Sequence, residues 1–263
     1  MNTSARTQAA PVLVFSIALN GYQWLYRNLS ATHADYAERH GYGYVQVRRP
    51  GLSSLGREVC WLKIRLALEA LVSGYEWVVF LDADTRVAPH TPAVETVQRP
   101  GCHLYGARGF SGRLNSGVLI LRRHPNTEHL LRSALHLATT PVDADCDVGW
   151  GENGHLIQLC RTASCVHYLD QKWNNNQRPE LDDYIRHFSA GPLQHHHQAN
   201  PLHSGLGHML FHGVRLLGVV RAHLPWPQAG FHQNLEQLSR RVFQHYPQFQ
   251  QHSAPNLNIR AAS

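Results

Sequence analysis

Residues Trp77–Val87 read WVVFLDADTRV, five apolar residues running straight into two aspartates spaced one residue apart. A surface helix of this length would interleave polar positions, and the run has none. Its Val-Val-Phe centre fits a short strand buried on both faces, which belongs in the middle of a sheet covered by helices. Asp82 and Asp84 then stand at the C-terminal edge of that strand. In an extended segment, residues i and i+2 point the same way with alpha carbons about 6.6 Å apart, so the two carboxylates share one small volume. Their repulsion needs an offset, and a divalent cation that takes hard oxygen donors, Mg²⁺ or Mn²⁺, provides it directly. The plainer alternative is a turn after a strand, where aspartate is common.

The flanks alternate between strand and helix. Val12–Ala18 reads as a first strand, and Tyr22–His40 as a helix carrying Leu25, Leu29, Thr32 and Tyr36 on one side and stopped by Gly41. Tyr44–Val47 is a second strand. Val59–Val72 repeats Trp61, Ile64, Leu68 and Leu71 at helical spacing, with Lys63 off that stripe. After the Trp77–Leu81 strand come a buried strand at Val118–Leu121, helices at Thr127–Ala138 and Asn153–Cys160, and short strands at Val166–Leu169 and Tyr184–Phe188. This order predicts an α/β fold with a mainly parallel sheet, right-handed crossovers and a ligand site beyond the carboxyl ends of the strands. Past Gly191 the pattern dissolves into Pro, Gly, His and Gln until Leu235, Leu238 and Val242 mark one short helix. The predicted organisation is a disordered start over residues 1–10, one domain over 11–215, and an extension over 216–263 that packs on it or is partly flexible.

A chain of 263 residues can bury a full core without covalent staples. Its five cysteines are an odd number without CxxC spacing, which predicts free thiols and a cytoplasmic setting. The Pro11–Leu19 run is about half of the ~20 residues a membrane span needs. A formal charge of +6 admits phosphates, nucleic acid or peripheral contact with an anionic membrane surface. The basic residues are scattered, with only Lys63 and Lys172 as lysines, and no nucleic-acid module is present, so nucleic acid is not expected as a partner. The 20 histidines lack metal-binding spacing, and His195–His197 reads as a solvated loop.

In order along the chain, NLSATHADYAERHGY, WLKIRLALEAL, EWVVFLDADTRV, RLNSGVLILRR, WGENGHLIQL, LDQKWNNN and RHFSAG span roughly Val12 to Gly191. This ordered set resembles the metal-dependent GT-A glycosyltransferases. It is nearest the retaining galactosyl-, mannosyl- and xylosyltransferases of fungi and plants, the family thirty-four type, with glycogenin-like transferases as more distant kin. The resemblance implies a Rossmann-like GT-A fold and transfer of a sugar from a nucleoside-diphosphate sugar, a UDP- or GDP-sugar, to a hydroxyl on a glycan, small molecule or protein.

On the same resemblance, Asp84 is the first metal ligand, Asp82 touches the metal or the donor, and His187 completes the site; the imidazole favours Mn²⁺ over Mg²⁺. Asn115, Ser116 and Gly117 precede a buried strand and would let backbone approach the donor, or form a plain turn. Lys63 occupies the family's WxK position and would meet donor sugar or phosphates. Trp173 and Asn174 match an aromatic-Asn step that walls a sugar; a buried Trp in the core is an equal reading. No lysine follows His187, so Arg178, Arg186 or a histidine would take over the diphosphate. Where relatives tend to carry an acid-amide-acid run, this chain has Glu152, Asn153 and Gly154. Glu152 would hold sugar hydroxyls and Asn153 would sit beneath the anomeric carbon. The missing third acid removes the obvious carboxylate for a covalent intermediate, which favours front-face substitution with retention.

Two rivals remain open on sequence. Asp82-Ala83-Asp84-Thr85 also resembles the DxDxT opening of haloacid-dehalogenase-like phosphohydrolases, whose motif usually ends the first strand. A non-enzymatic binder of anionic ligands is the other, permitted by charge alone.

Overall fold

The computed structural model describes residues 12–149, 151–189, 191–198, 200–223 and 229–250. The disordered start expected for residues 1–10 and the last part of the predicted extension, residues 251–263, lie outside the described residues.

In chain order the elements are β1 (Val12–Ile17), α1 (Tyr22–Leu25), α2 (Arg27–His40), β2 (Gly43–Val47), α3 (Gly56–Val72), β3 (Trp77–Leu81), β4 (Thr85–Val87), β5 (Leu104–Ala107), β6 (Val118–Arg122), α4 (Pro125–Leu137), α5 (Asn153–Thr162), β7 (Val166–Leu169), β8 (Ile185–His187), α6 (Pro201–Ala222) and α7 (Phe231–His245). Six strands form the main sheet in the order β2-β1-β3-β6-β5-β7. β1 pairs in parallel with β2 and β3, and β5 in parallel with β7. β6 runs against both β3 and β5. Residues 108–117 explain the reversal, because parallel neighbours need a crossover of a dozen or more residues and this link is shorter.

β3 is buried along its whole length, as a central strand must be. The twofold repeat of a strand divides its side chains between two core layers. Val78 and Phe80 join Leu13, Phe15, Leu119 and Leu121 on the face covered by α3, α4 and α7. Trp77, Val79 and Leu81 join Val12, Val14, Val118 and Ile120 on the other face, with Tyr36 of α2. The helix predicted over Tyr22–His40 is broken at Tyr26, whose φ of −117° and ψ of 25° leave the helical region. Gly41 ends α2 in the left-handed conformation at φ 69°, as the sequence indicates. α7 places Leu235, Leu238 and Val242 in the core, again as read from spacing.

Three elements were not anticipated, and the first, β4, is only three residues long. β5 reads LYGA, four residues with no β-branched side chain and two poor strand formers. α6 lies where the pattern was read as dissolving, yet its start is marked. Asn200 caps the helix by accepting from the backbone N–H groups of Leu202 and His203, and Pro201 occupies the first turn. Its glycines look like breakers, but Gly207 and Gly218 serve packing. A Cβ on Gly207 would lie 2.5 Å from Leu25 Cγ and 2.9 Å from the Gly21 carbonyl oxygen.

Candidate functional site

β3 delivers its two aspartates to the C-terminal side of the sheet, but not in the extended form expected from sequence. The Thr85 N–H and the Thr85 hydroxyl both donate to the Asp82 carbonyl, at 3.0 and 2.8 Å, closing a turn around Ala83. The turn reverses the chain into β4, which pairs antiparallel with β8 so that Thr85 stands opposite His187. The Phe188 N–H donates to the Asp84 carbonyl at 2.9 Å and extends that ribbon. This pairing carries His187 over a separation of a hundred residues to the aspartates. Its Nε2 lies 3.2 Å from Asp84 Oδ1 and 3.7 Å from Asp82 Oδ2.

The residues around the triad fix its orientation. Asn174 Oδ1 lies 2.9 Å from His187 Nδ1, and the Asn174 amide donates to the carbonyl and Oδ1 of Asn115, each at 3.1 Å. Asn174 Oδ1 is therefore the acceptor and His187 carries a proton on Nδ1, so Nε2 is the atom that faces the carboxylates and would serve as a ligand to a cation. Gly117 leaves the necessary room, since a Cβ there would stand 2.1 Å from His187 Cε1 and 2.9 Å from Asp82 Oδ2. Two carboxylates and an imidazole that presents Nε2, their ligand atoms all within 4.8 Å of one another, fit a divalent cation.

Charge follows geometry. Burial alone would lower the His187 pKa, but the charges of Asp84 and Asp82 and the Asp84 contact outweigh it and raise it. Burial pushes Asp84 up, and His187 more than compensates, holding it below its ordinary value. Asp82 is raised by burial and by Asp84 against the pull of Lys63. Asp82 is also the more open of the two, with a third of its side chain exposed.

Lys63 organises a second group behind the first. Its ammonium lies 2.8 Å from Glu152 Oε1 and 3.5 Å from Asp82 Oδ1, and it donates to the carbonyl and hydroxyl of Ser116 at 3.3 and 3.4 Å. The Ser116 hydroxyl donates to Glu152 Oε1 at 2.6 Å. Burial would lower the Lys63 pKa, yet Asp82 and Glu152 prevail and raise it, so the buried ammonium stays charged. Asn153 uses both ends of its amide on the same loop: Oδ1 accepts from the Ser116 N–H at 2.9 Å and Nδ2 donates to the Leu114 carbonyl at 3.1 Å.

Lys63, Asp82, Asp84, Asn115, Ser116, Gly117, Glu152, Asn153, Asn174 and His187 are thus brought into one connected network. Trp173 is not in it. Its ring is 6 % exposed in the second core layer and meets Tyr184 edge-on with centroids 5.3 Å apart. Arg186 alternates away from His187 along β8, and its guanidinium bonds Asp183 at 2.7 Å and the Leu181 carbonyl at 2.9 Å. Glycine at 154 also has a local cause, because a Cβ there would meet the Cys146 carbonyl oxygen at 2.9 Å.

Several contributors escaped sequence reading. Asn175 and Asn176 are fully buried: Asn175 donates to Asp183 at 2.7 Å, and Asn176 Oδ1 accepts from the Phe110 N–H at 2.9 Å. The run of three amides, NNN, was the available signal. His33 is buried with Nε2 2.8 Å from the Thr85 carbonyl and 3.0 Å from the Thr85 hydroxyl, bracing the turn from α2. A histidine in the middle of a helix carried no such signal.

No protein-family model matches the chain, and no curated protein matches it. Among solved structures it is similar to a glycosyltransferase involved in the glycosylation of the major capsid of PBCV-1, with 14 % identity and a TM-score of 0.53 over 70 % of this chain and 97 % of that one. It is also similar to the glycosyltransferase GlyE of Streptococcus pneumoniae TIGR4, with 12 % identity and a TM-score of 0.49 over 81 % of this chain and 64 % of that one. The second similarity is too loose to carry an argument. The first agrees with the mixed sheet and its flanking helices, and the chain has the GT-A glycosyltransferase fold.

Proposed function

We propose that this chain is a metal-dependent glycosyltransferase that moves a hexose or pentose from a UDP- or GDP-sugar to a hydroxyl acceptor with retention of configuration. The observation that carries the reading is the convergence of Asp82, Asp84 and His187 at the end of the central strand. Two hard oxygens and one imidazole nitrogen suit Mn²⁺ better than Mg²⁺. Bound there, the cation would stabilise charge on the departing diphosphate electrostatically and as a Lewis acid.

The other residues position the site. Asn174 holds the His187 tautomer, and Lys63 balances Asp82 and Glu152 from below. Ser116 and Asn153 brace the 114–117 loop beside the carboxylates. In this reading Glu152 and Asn153 shape the donor cradle through these contacts, and Trp173 supports it from the core.

For a retaining transfer, the carboxylates favour front-face substitution over double displacement. Glu152 is the next acid to the triad, but it is 3 % exposed and locked between Lys63 and Ser116, which leaves it unable to attack an anomeric carbon. Gly154 supplies no replacement. In the proposed transfer the acceptor oxygen bonds to the anomeric carbon on the face from which the diphosphate departs, and the leaving phosphate oxygen takes its proton. A thermal-shift panel of nucleoside diphosphates and their sugars, with and without Mn²⁺, tests the donor class. NMR of the product's anomeric carbon tests the stereochemistry, and an inverted product rules out this mechanism. The phosphohydrolase reading is not favoured, because the aspartate pair ends the third strand of a transferase fold.

A further inference from the structure

α6 is apolar on two opposite sides and buries little of either. Among its described residues only Gly207 and Val214 are buried. The inner stripe, Gly207, Phe211, Val214 and Gly218, recurs at helical spacing and faces the body of the protein. Phe211 meets Tyr22 of α1 with ring centroids 5.7 Å apart, and a Cβ on Gly218 would lie 3.2 Å from the Ser54 carbonyl oxygen. The outer stripe carries Leu202, Met209, Leu216, Leu217 and Val220, which are 83, 64, 64, 60 and 50 % exposed. A helix apolar on both sides belongs in an interior, and a contiguous apolar row in water marks a docking surface.

Charge identifies the partner. Residues 201–222 contain no aspartate or glutamate; their ionisable groups are Arg215, Arg221, His203, His208 and His212. The 48–55 loop touches the end of α6, where Arg221 donates to the Ser54 hydroxyl at 3.3 Å, and it adds exposed Arg48, Arg49 and Leu52. A hydrocarbon-seeking row bordered by cations and free of acids complements an anionic lipid surface: acyl chains take the leucines and phosphates take the guanidiniums. A second copy fits worse, because a twofold contact would set the same cations against one another. No helix among the described residues is long and apolar enough to cross a membrane, so α6 would lie in the plane of the interface.

We propose that α6 is an interfacial helix that seats this protein on an anionic phospholipid membrane. α6 connects to the candidate site through intermediate rings: Phe211 packs on Tyr22, and Tyr22 on Tyr26 with centroids 5.2 Å apart. Tyr26 packs on His197 at 5.2 Å and His197 on Phe188 at 5.4 Å, and Phe188 bonds the Asp84 backbone. The inference goes beyond the transferase reading and does not depend on it.

Flotation of the full chain with phosphatidylcholine vesicles, with and without phosphatidylglycerol, tests it. The protein should float with the anionic vesicles at about 0.1 M salt, remain behind with neutral ones, and lose most of its binding at about 1 M salt. The double variant Leu216→Glu, Val220→Glu should bind about tenfold more weakly or worse, with an unchanged thermal midpoint. Arg215→Glu should weaken binding severalfold. Failure of the parental protein to float, or equal flotation of the double variant, overturns the proposal. A dimer that the double variant dissolves, without vesicle binding, assigns the face to a second copy and overturns it too.

Discussion

At the scale of single residues, the candidate metal site depends on side chains that hold other side chains. Asn174 fixes the His187 tautomer from behind, so Asn174→Ala should weaken Mn²⁺ binding about 10–100-fold without unfolding the protein, measured by calorimetric titration. Unchanged affinity would show that the imidazole needs no such support. Gly117→Ala places a methyl group where His187 Cε1 now stands and should abolish Mn²⁺ binding in the same assay; parental affinity would refute the close packing of the site.

His33 makes a separate prediction about pH. Burial lowers its pKa to about 4, against partial opposition from the Thr85 hydrogen bond and Asp84. Above pH 6.5 the imidazole is neutral folded and unfolded, and the fold is at full strength. As pH falls from 6.5 to about 4, the unfolded chain takes up a proton that the folded chain refuses, so stability drops by about 3 kcal/mol and then levels off. Urea denaturation of the parental chain and of His33→Gln should therefore diverge across that window, with the parental chain losing more. Parallel curves would contradict a buried neutral His33.

The residues of the site were legible because their chemistry is written in the DAD, NSG and RHF segments. What sequence could not supply was the use each residue makes of its groups. Nothing in GENG says that both ends of the Asn153 amide are spent on the 114–117 loop, or that Glu152 is sealed between Lys63 and Ser116. Nor does a Trp before an Asn reveal that the ring faces the core and the amide the histidine.

At the scale of elements, most strands and helices were readable, including the short β7 and β8, whereas β4, β5 and α6 were not. The apolar run of β3 and the spacing of α3 announced themselves, whereas β5 has no β-branched side chain. The two-residue offset of Asp82 and Asp84 suggested an extended pair, and the actual turn depends on Thr85 and on β8, far along the chain. α6 was hidden by its glycines. Gly207→Ala would force a methyl group onto the Gly21 carbonyl and Leu25, lifting α6 from α1. Hydrogen exchange should then speed up across residues 201–222 and stay unchanged in α3, which packs elsewhere; unaltered protection in α6 would mean that the helices do not need this close approach.

At the scale of the molecule, a mixed sheet with two core layers gives a rigid base, and a two-stranded ribbon closes over its C-terminal edge to assemble the ligands. Because the aspartates lie at the rim, with Asp82 a third exposed, removing one charge should spare the core. The most direct measurement is a Mn²⁺ titration read by electron paramagnetic resonance in the presence of UDP, comparing the parental chain with Asp84→Asn. A functional triad predicts one tightly bound ion per parental chain and at least a hundredfold loss in a variant that keeps its thermal midpoint. Equal binding by both proteins would contradict the assignment of Asp82, Asp84 and His187 as the metal site.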